Sequence, residues 1–211
     1  MRRLRKLFEP IKVADVQIKN RIVMSPMGLG RATEDGFVTD VMVDFYIERA
    51  KGGVGLINIV CGYNDFCVYL PHIPALQDDR FIPGLKKMTD AIHEHGAKTF
   101  AQIINMGSSC FGTKDGGPPP APSAVKNTLT GFMPREMTTA EVRLLGDHFA
   151  EAAWRAKEGG FDGVELCGNS GYLLNQFLSP LTNQRHDEYG GDFERRMRFP
   201  LEVVEKIKAK A

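Results

Sequence analysis

The chain has 211 residues, of which 43% are hydrophobic, 25% charged and 9% aromatic. That length can bury a substantial core as one domain, at most two small ones, and the balance excludes a disordered, collagen-like or membrane-embedded chain. With 27 basic and 26 acidic side chains the net charge is +1, so no overall field draws the chain to nucleic acid or an anionic membrane; function must lie in a local site.

The four cysteines, Cys61, Cys67, Cys110 and Cys167, form no C-x-x-C pair and are spread too widely for a compact zinc site or a secreted disulfide framework, which points to a reducing, cytoplasmic setting. The basic start, Met1-Arg2-Arg3-Leu4-Arg5-Lys6, is not followed by the apolar run of a signal peptide. No apolar stretch approaches the roughly 20 residues needed to cross a bilayer, so no membrane association is expected.

In chain order, Ile18 to Met24 reads as a first buried strand, cut off by Ser25-Pro26 because proline has no amide to donate. Thr39-Asp40 then caps a helix carrying Val41, Phe45, Tyr46 and Ile47, which stops at Gly52-Gly53. Val54 to Cys61 is an apolar strand run, and Pro83 to His95 a helix stopped by Gly96 with Leu85, Met88 and Ile92 on one face. Ala97 to Ile104 is the third strand. Thr138-Thr139-Ala140-Glu141 opens a helix in capping-box fashion that runs to Lys157, and Phe161 to Leu166 follows as the fourth strand. The stretch from Phe193 to Ala211 is the last helix, with Met197, Leu201, Val204 and Ile207 at helical spacing.

Strands alternating with helices predict an α/β fold with a parallel sheet, doubly wound or a (β/α) barrel. Connections before strands are a glycine or two, whereas those after strands are long, from Ser25 to Thr39, Cys61 to Arg80, Asn105 to Met137 and Cys167 to Asp192. That asymmetry favours a barrel, whose active face is built by the loops after its strands. The sequence supplies about four of the eight units of such a barrel, behind an N-terminal extension.

No P-loop, G-x-G-x-x-G after a strand, H-E-x-x-H or G-x-S-x-G occurs, and no strand ends in the lysine that a Schiff-base lyase would need. The informative segments lie at strand ends: Ser25-Pro26-Met27-Gly28, Cys61-Gly62, Gln102 through Gly107, and Cys167 through Gly191. In the last, Tyr172 carries a phenol able to act as a general acid. Other residues have plainer readings. His93 and His95 flank a helix end and suit its dipole, and Asp115 to Pro120 is a stiff loop brace. His72 is a candidate substrate contact, Tyr63, Phe66 and Tyr69 either roof an apolar substrate or pack their loop, and Cys167 would be reactive only beside a cation or helix terminus.

Gly171-Tyr172-Leu173-Leu174-Asn175-Gln176-Phe177-Leu178-Ser179-Pro180, with Asn183, Arg185, Asp187-Glu188-Tyr189-Gly190-Gly191 and Arg196-Met197-Arg198-Phe199, resembles the fourth-strand signature of the Old Yellow Enzyme family, the NADH:flavin oxidoreductases. The resemblance extends through Asn20 to Met27, Gly53 to Ile57, Ala121 to Ala124 and Pro134 to Met137, in order. The Met27-Gly28 pair is most similar to the bacterial branch with 2,4-dienoyl-CoA and 2-enoate reductases. The resemblance implies residues 1–211 to be the N-terminal half of an FMN-binding (β/α)8 barrel with no second domain, an oxidoreductase of ene-reductase type using NAD(P)H as reductant and an activated alkene as substrate.

By the same resemblance Ser25, Pro26 and Met27 line the flavin, Cys61 offers it backbone, Gln102 bonds its pyrimidine edge and Tyr172 is the proton donor. Gly28 takes a position where relatives often place a Thr or Cys that tunes the flavin. Cys167 and Ser170 occupy the positions that grip the substrate's polar group, where histidines or asparagine are usual. Asn105 and Ser108 replace a usual His and Arg. The family's flavin-phosphate site belongs to the seventh and eighth units, outside this sequence, which implies reduced FMN affinity. The alternative expectation is a non-catalytic half-barrel that binds a complementary C-terminal half or self-associates.

Overall fold

The computed structural model describes residues 4–63, 71–110, 113 and 116–211. Cys67, Phe66, Tyr69 and Asp115, singled out above, lie outside the described residues. In chain order the main elements are β1 (Ile11–Val13), β2 (Val16–Ile18), β3 (Val23–Met24), α1 (Asp40–Lys51), β4 (Leu56–Gly62), α2 (Ile82–His93), β5 (Lys98–Ile104), β6 (Pro120–Ala121) and β7 (Arg135–Glu136). They continue with α3 (Thr139–Glu158), β8 (Gly163–Leu166), α4 (Leu173–Leu178) and α5 (Phe193–Lys210).

A four-stranded sheet in the order β3-β4-β5-β8 is the frame. β3 and β4 pair in parallel, Val23 opposite Leu56. The Asp162 amide donates to the Thr99 carbonyl and the Cys167 amide to the Ile103 carbonyl, so both partners advance in the same direction. This parallel set of four βα units is the expected portion of a (β/α)8 barrel, with α1, α2 and α3 as crossovers.

Two compact units divide the chain, one comprising Met1–Cys61, Pro71–Gln102 and Arg155–Glu165, the other Gly62–Leu70, Ile103–Trp154 and Leu166–Ala211. In the first, β4 is buried along its whole length, as its apolar run predicts. The α1 start is capped by the Thr39 hydroxyl, which accepts from the Met42 amide. Helix α2 buries Leu85, Met88, Thr89 and Ile92, and Gly96 follows it at φ 69, a left-handed turn that glycine makes without a Cβ penalty.

The first strand departs from expectation. Only Val23 and Met24 are extended, because the Asn20 carboxamide folds the run back: it accepts from the Ile22 amide at 3.0 Å and donates to the Gly53 carbonyl at 2.7 Å. Ile18 instead belongs to the antiparallel β1-β2 hairpin, where it faces Ile11. Val23 is 48% exposed, as suits the end strand of the sheet rather than a buried one.

In the second unit the capping box at the start of α3 forms as predicted, Glu141 accepting from the Thr138 amide at 2.8 Å while Thr138 accepts from the Glu141 amide at 3.2 Å. Phe177 of α4 and Phe199 of α5 lie 4.3 Å apart between ring centres, with Tyr189 and Phe149 edge-on to Phe199. Phe177, Tyr189 and Phe199 are each at most 1% exposed, so this aromatic group anchors α5.

Candidate functional site

In the first unit the expected cofactor residues sit at strand ends. Ser25, Met27 and Gly28 are exposed just past β3, with Pro26 partly covered. Cys61, at the end of β4, has no exposed surface, and burial pushes its thiol far above the ordinary range. That sulfur is close enough to the Tyr46 phenol for the two to interact electrostatically.

Gln102, on β5, is 7% exposed and donates from Nε2 to Oε1 of Glu165 on β8 at 2.5 Å. Asn58 of β4 donates from Nδ2 to the other Glu165 oxygen. The Asn58 Oδ1 is buried with no hydrogen-bond partner, and the Gln102 Oε1 takes no hydrogen bond among the described residues. Three polar side chains from three adjacent strands thus meet on one sheet face. The sequence reading missed Asn58 and Glu165; the available signal was a polar residue set inside each of two short strand runs.

In the second unit the loop after β8 carries the remaining candidates. Cys167 is 6% exposed, its amide bonded to the Ile103 carbonyl and its sulfur 3.5 Å from Asn169 Oδ1. The Ser170 hydroxyl donates to the same Asn169 oxygen at 3.1 Å, with Ser170 at φ 56 in the left-handed region. Both expected substrate-gripping groups therefore converge on Asn169, a residue that the sequence reading left without a role. Tyr172 is partly buried, its amide bonded to the Asn169 carbonyl, and its phenol oxygen makes no hydrogen bond among the described residues.

Gln176 fixes this loop. Its Nε2 donates to the Gly171 carbonyl at 2.6 Å and the Met106 carbonyl at 3.0 Å, while its Oε1 accepts from the Ser108 amide at 3.0 Å. The Leu173 amide donates to the Asn105 carbonyl at 3.0 Å. Asn105 and Ser108, the two departures after β5, are both buried. The Asn105 side chain accepts from the Gly107 amide, and the Ser108 hydroxyl accepts from Asn127 Nδ2 at 3.2 Å. They act here as turn-formers. A shallow cleft beside them is lined by Ser108, Ser109, Asn127, Ser170 and Gly171.

Further along, Arg185 is 4% exposed and donates to the Pro122 and Met137 carbonyls and to both Asp187 oxygens. Burial raises the Asp187 carboxyl, but hydrogen bonds from Arg185, Thr139 and the Tyr189 amide outweigh it and hold the group at about 2. The signature residues Asn183, Arg185 and Asp187 are scaffold.

The remaining histidines take structural parts. His93 stands in the last turn of α2, as expected, and also pairs with Asp162 at 2.7 Å beside Lys98, while the His95 carbonyl accepts from Lys19. His72 Nδ1 lies 3.2 Å from the Ala32 carbonyl, and Tyr63 stacks on His148 at 4.8 Å. Among the described residues there is no cluster of metal-binding side chains, and no helix is long and apolar enough to cross a membrane.

A parallel set of βα units of this kind is a portion of a (β/α) barrel. Residues 6–211 match the family model of the NADH:flavin oxidoreductase / NADH oxidase family, and the chain belongs to that family. It is 46% identical over 203 residues to a metal reductase of Desulforamulus reducens, covering 96% of this chain and 30% of that protein. It is 41% identical over 212 residues to a cinnamate reductase of Clostridium sporogenes, covering 96% of this chain and 32% of that protein. Among solved structures, the Old Yellow Enzyme homologue from Zymomonas mobilis superposes with a TM-score of 0.87 at 34% identity, over 97% of this chain and 60% of that one. The chain thus spans about a third of the length of those curated relatives.

Proposed function

We propose that this chain forms the strand-end part of an FMN-dependent ene-reductase that takes its reducing equivalents from NAD(P)H and acts on an electron-poor alkene in the cytoplasm. The observation that carries this reading is the Tyr172 phenol: its backbone is pinned on both sides, by Asn169 and by the Leu173–Asn105 bond, while its hydroxyl is left uncommitted. A half-buried phenol without a structural partner is free to donate its proton to a ligand.

Ser25, Pro26, Met27 and Gly28, with the Cys61 backbone and Gln102, are the groups that would hold the flavin. The fit rests on the free Gln102 Oε1 and the orphaned Asn58 Oδ1, two acceptors suited to an N–H-bearing ring edge. FMN, when bound and reduced by NAD(P)H, would supply a hydride to one alkene carbon. Tyr172 gives its phenolic proton to the other carbon, so that C=C becomes a saturated C–C bond, and the phenolate regains a proton from water. Ser170 turns its hydroxyl from Asn169 to the substrate's polar oxygen, and the Cys167 thiol, a weak donor, adds little polarisation. The substrate must be activated by its own electron-withdrawing group.

A second reading follows from the sheet, whose order ends at β3 on one side and β8 on the other among the described residues. Eight strands close such a barrel, and the others come either from the same polypeptide or, in this second reading, from a complementary chain. One experiment separates these readings: the purified chain is titrated with FMN, its visible spectrum recorded, and the sample passed over a sizing column before and after NADH or NADPH is added. Bound flavin that bleaches with the nucleotide supports the enzyme. Flavin-free protein that associates with a complementary half supports the second reading.

A further inference from the structure

Resting on the flavin reading above, we propose that Glu165 is a positioning residue for Gln102. Its carboxylate orients the Gln102 carboxamide so that the amide's carbonyl oxygen is presented to an N–H donor on the bound ring. A carboxylate only accepts hydrogen bonds, so each amide facing it must turn its NH2 inward and its oxygen away. Both do so. Gln102 Nε2 donates to Glu165 Oε1 at 2.5 Å, Asn58 Nδ2 donates to the other oxygen, and neither amide oxygen has a donor among the described residues.

The orphaned Asn58 Oδ1 is the mark of this constraint. A buried acceptor without a donor is costly, and flipping the amide would set its oxygen against the carboxylate, which is worse. Glu165 thereby decides the orientation of both amides. Gln102, 7% exposed, stands on β5 between β4 and β8, the strands that carry Asn58 and Glu165. An uncommitted glutamine could equally present its NH2 to a ring carbonyl; the one facing Glu165 must present oxygen, and so prefers an imide N–H.

The test compares FMN with N3-methyl-FMN, which lacks that N–H, by quenching of flavin fluorescence on the whole 211-residue chain. One hydrogen bond predicts that the wild-type chain binds FMN about 5- to 10-fold more tightly than the methylated form. Glu165→Gln, which is isosteric but can donate, should abolish most of that preference; Glu165→Asp, still acceptor-only, should retain it. An unchanged preference in Glu165→Gln, or equal loss in both variants, overturns the proposal. A flavin-independent readout is the Gln102 side-chain amide pair in 1H–15N spectra, assigned by its disappearance in Gln102→Leu. One proton shifted downfield in ligand-free wild type and Glu165→Asp, but not in Glu165→Gln, supports the positioning role. No difference among the three overturns it. Failure of the wild-type chain to bind either flavin counts against the flavin reading alone, and the amide spectra then decide the role of Glu165.

Discussion

The Ser108 amide donates to the side-chain oxygen of Gln176 at 3.0 Å, and through this bond a helix that begins just after Tyr172 is tied to the loop after β5. Gln176 is 2% exposed and spends its other two hydrogens on backbone carbonyls. The position of Tyr172, the proposed proton donor, therefore depends on a buried amide one turn into the following helix.

Replacing Gln176 by Leu keeps the volume and removes three hydrogen bonds, leaving the Ser108 amide and two carbonyls without their partner. We expect a loss of about 2–4 kcal/mol, read as a lowered urea midpoint by circular dichroism. A midpoint within experimental error of wild type would mean that the loops hold each other without this amide.

Gly107 has φ 53, and a Cβ there would collide with the Gln176 side-chain oxygen and lie 3.0 Å from Leu173. Gly107→Ala therefore adds a strained backbone to a displaced carboxamide. A destabilisation of about 1–3 kcal/mol is expected, and combined with Gln176→Leu it should be smaller than the sum, since the two share the contact. Full additivity would show that the clash is not with Gln176.

Tyr172→Phe removes a hydroxyl that bonds to nothing among the described residues, so stability should change by no more than about 0.5 kcal/mol. In flavin-loaded protein, reduction of the flavin by NADH or NADPH should keep its rate, while alkene reduction falls by roughly 10²–10⁴-fold. Stopped-flow traces of the two half-reactions separate these effects, and a slowed first half-reaction would argue against a proton-donor role.

Acid should weaken the second unit through Asp187. Its folded-state carboxyl is lowered from 3.8 to about 2, so the stability that it contributes is complete above pH 3.8 and is lost as pH falls toward 2. With solvent screening the contribution is on the order of 1 kcal/mol. Asp187→Asn should flatten the pH dependence of the urea midpoint between pH 4 and pH 2, and an equally steep dependence in the variant would assign it elsewhere.

The alternation of apolar strand runs with helices ending in glycine was readable along the chain because each signal is local: Thr39 caps, Gly96 stops, and Val54 to Cys61 is apolar throughout. The β1-β2 hairpin and the shortness of β3 were missed. The hairpin is a local feature that the strand reading passed over, whereas β3 is cut short where Asn20 reaches Gly53, a bond across 33 positions that no window along the sequence contains. Likewise α4 reads as polar loop in sequence, since its six residues are helical only because Gln176 and Leu173 are held by the loop after β5.

Residue types at strand ends, and the order in which they occur, were enough to determine the barrel class, the family and the candidates Tyr172, Gln102, Cys167 and Ser170. These follow from local propensity and from a signature carried in the chain itself. Only the tertiary structure decided which atoms of those candidates are free: the Tyr172 phenol and Gln102 oxygen are uncommitted, whereas Cys167 and Ser170 both turn to Asn169. Hydrogen-bond partners are allotted in three dimensions, among groups tens of residues apart, and a half-buried carboxylate such as Glu165 meets the Asn58 and Gln102 amides only once strands set it beside them.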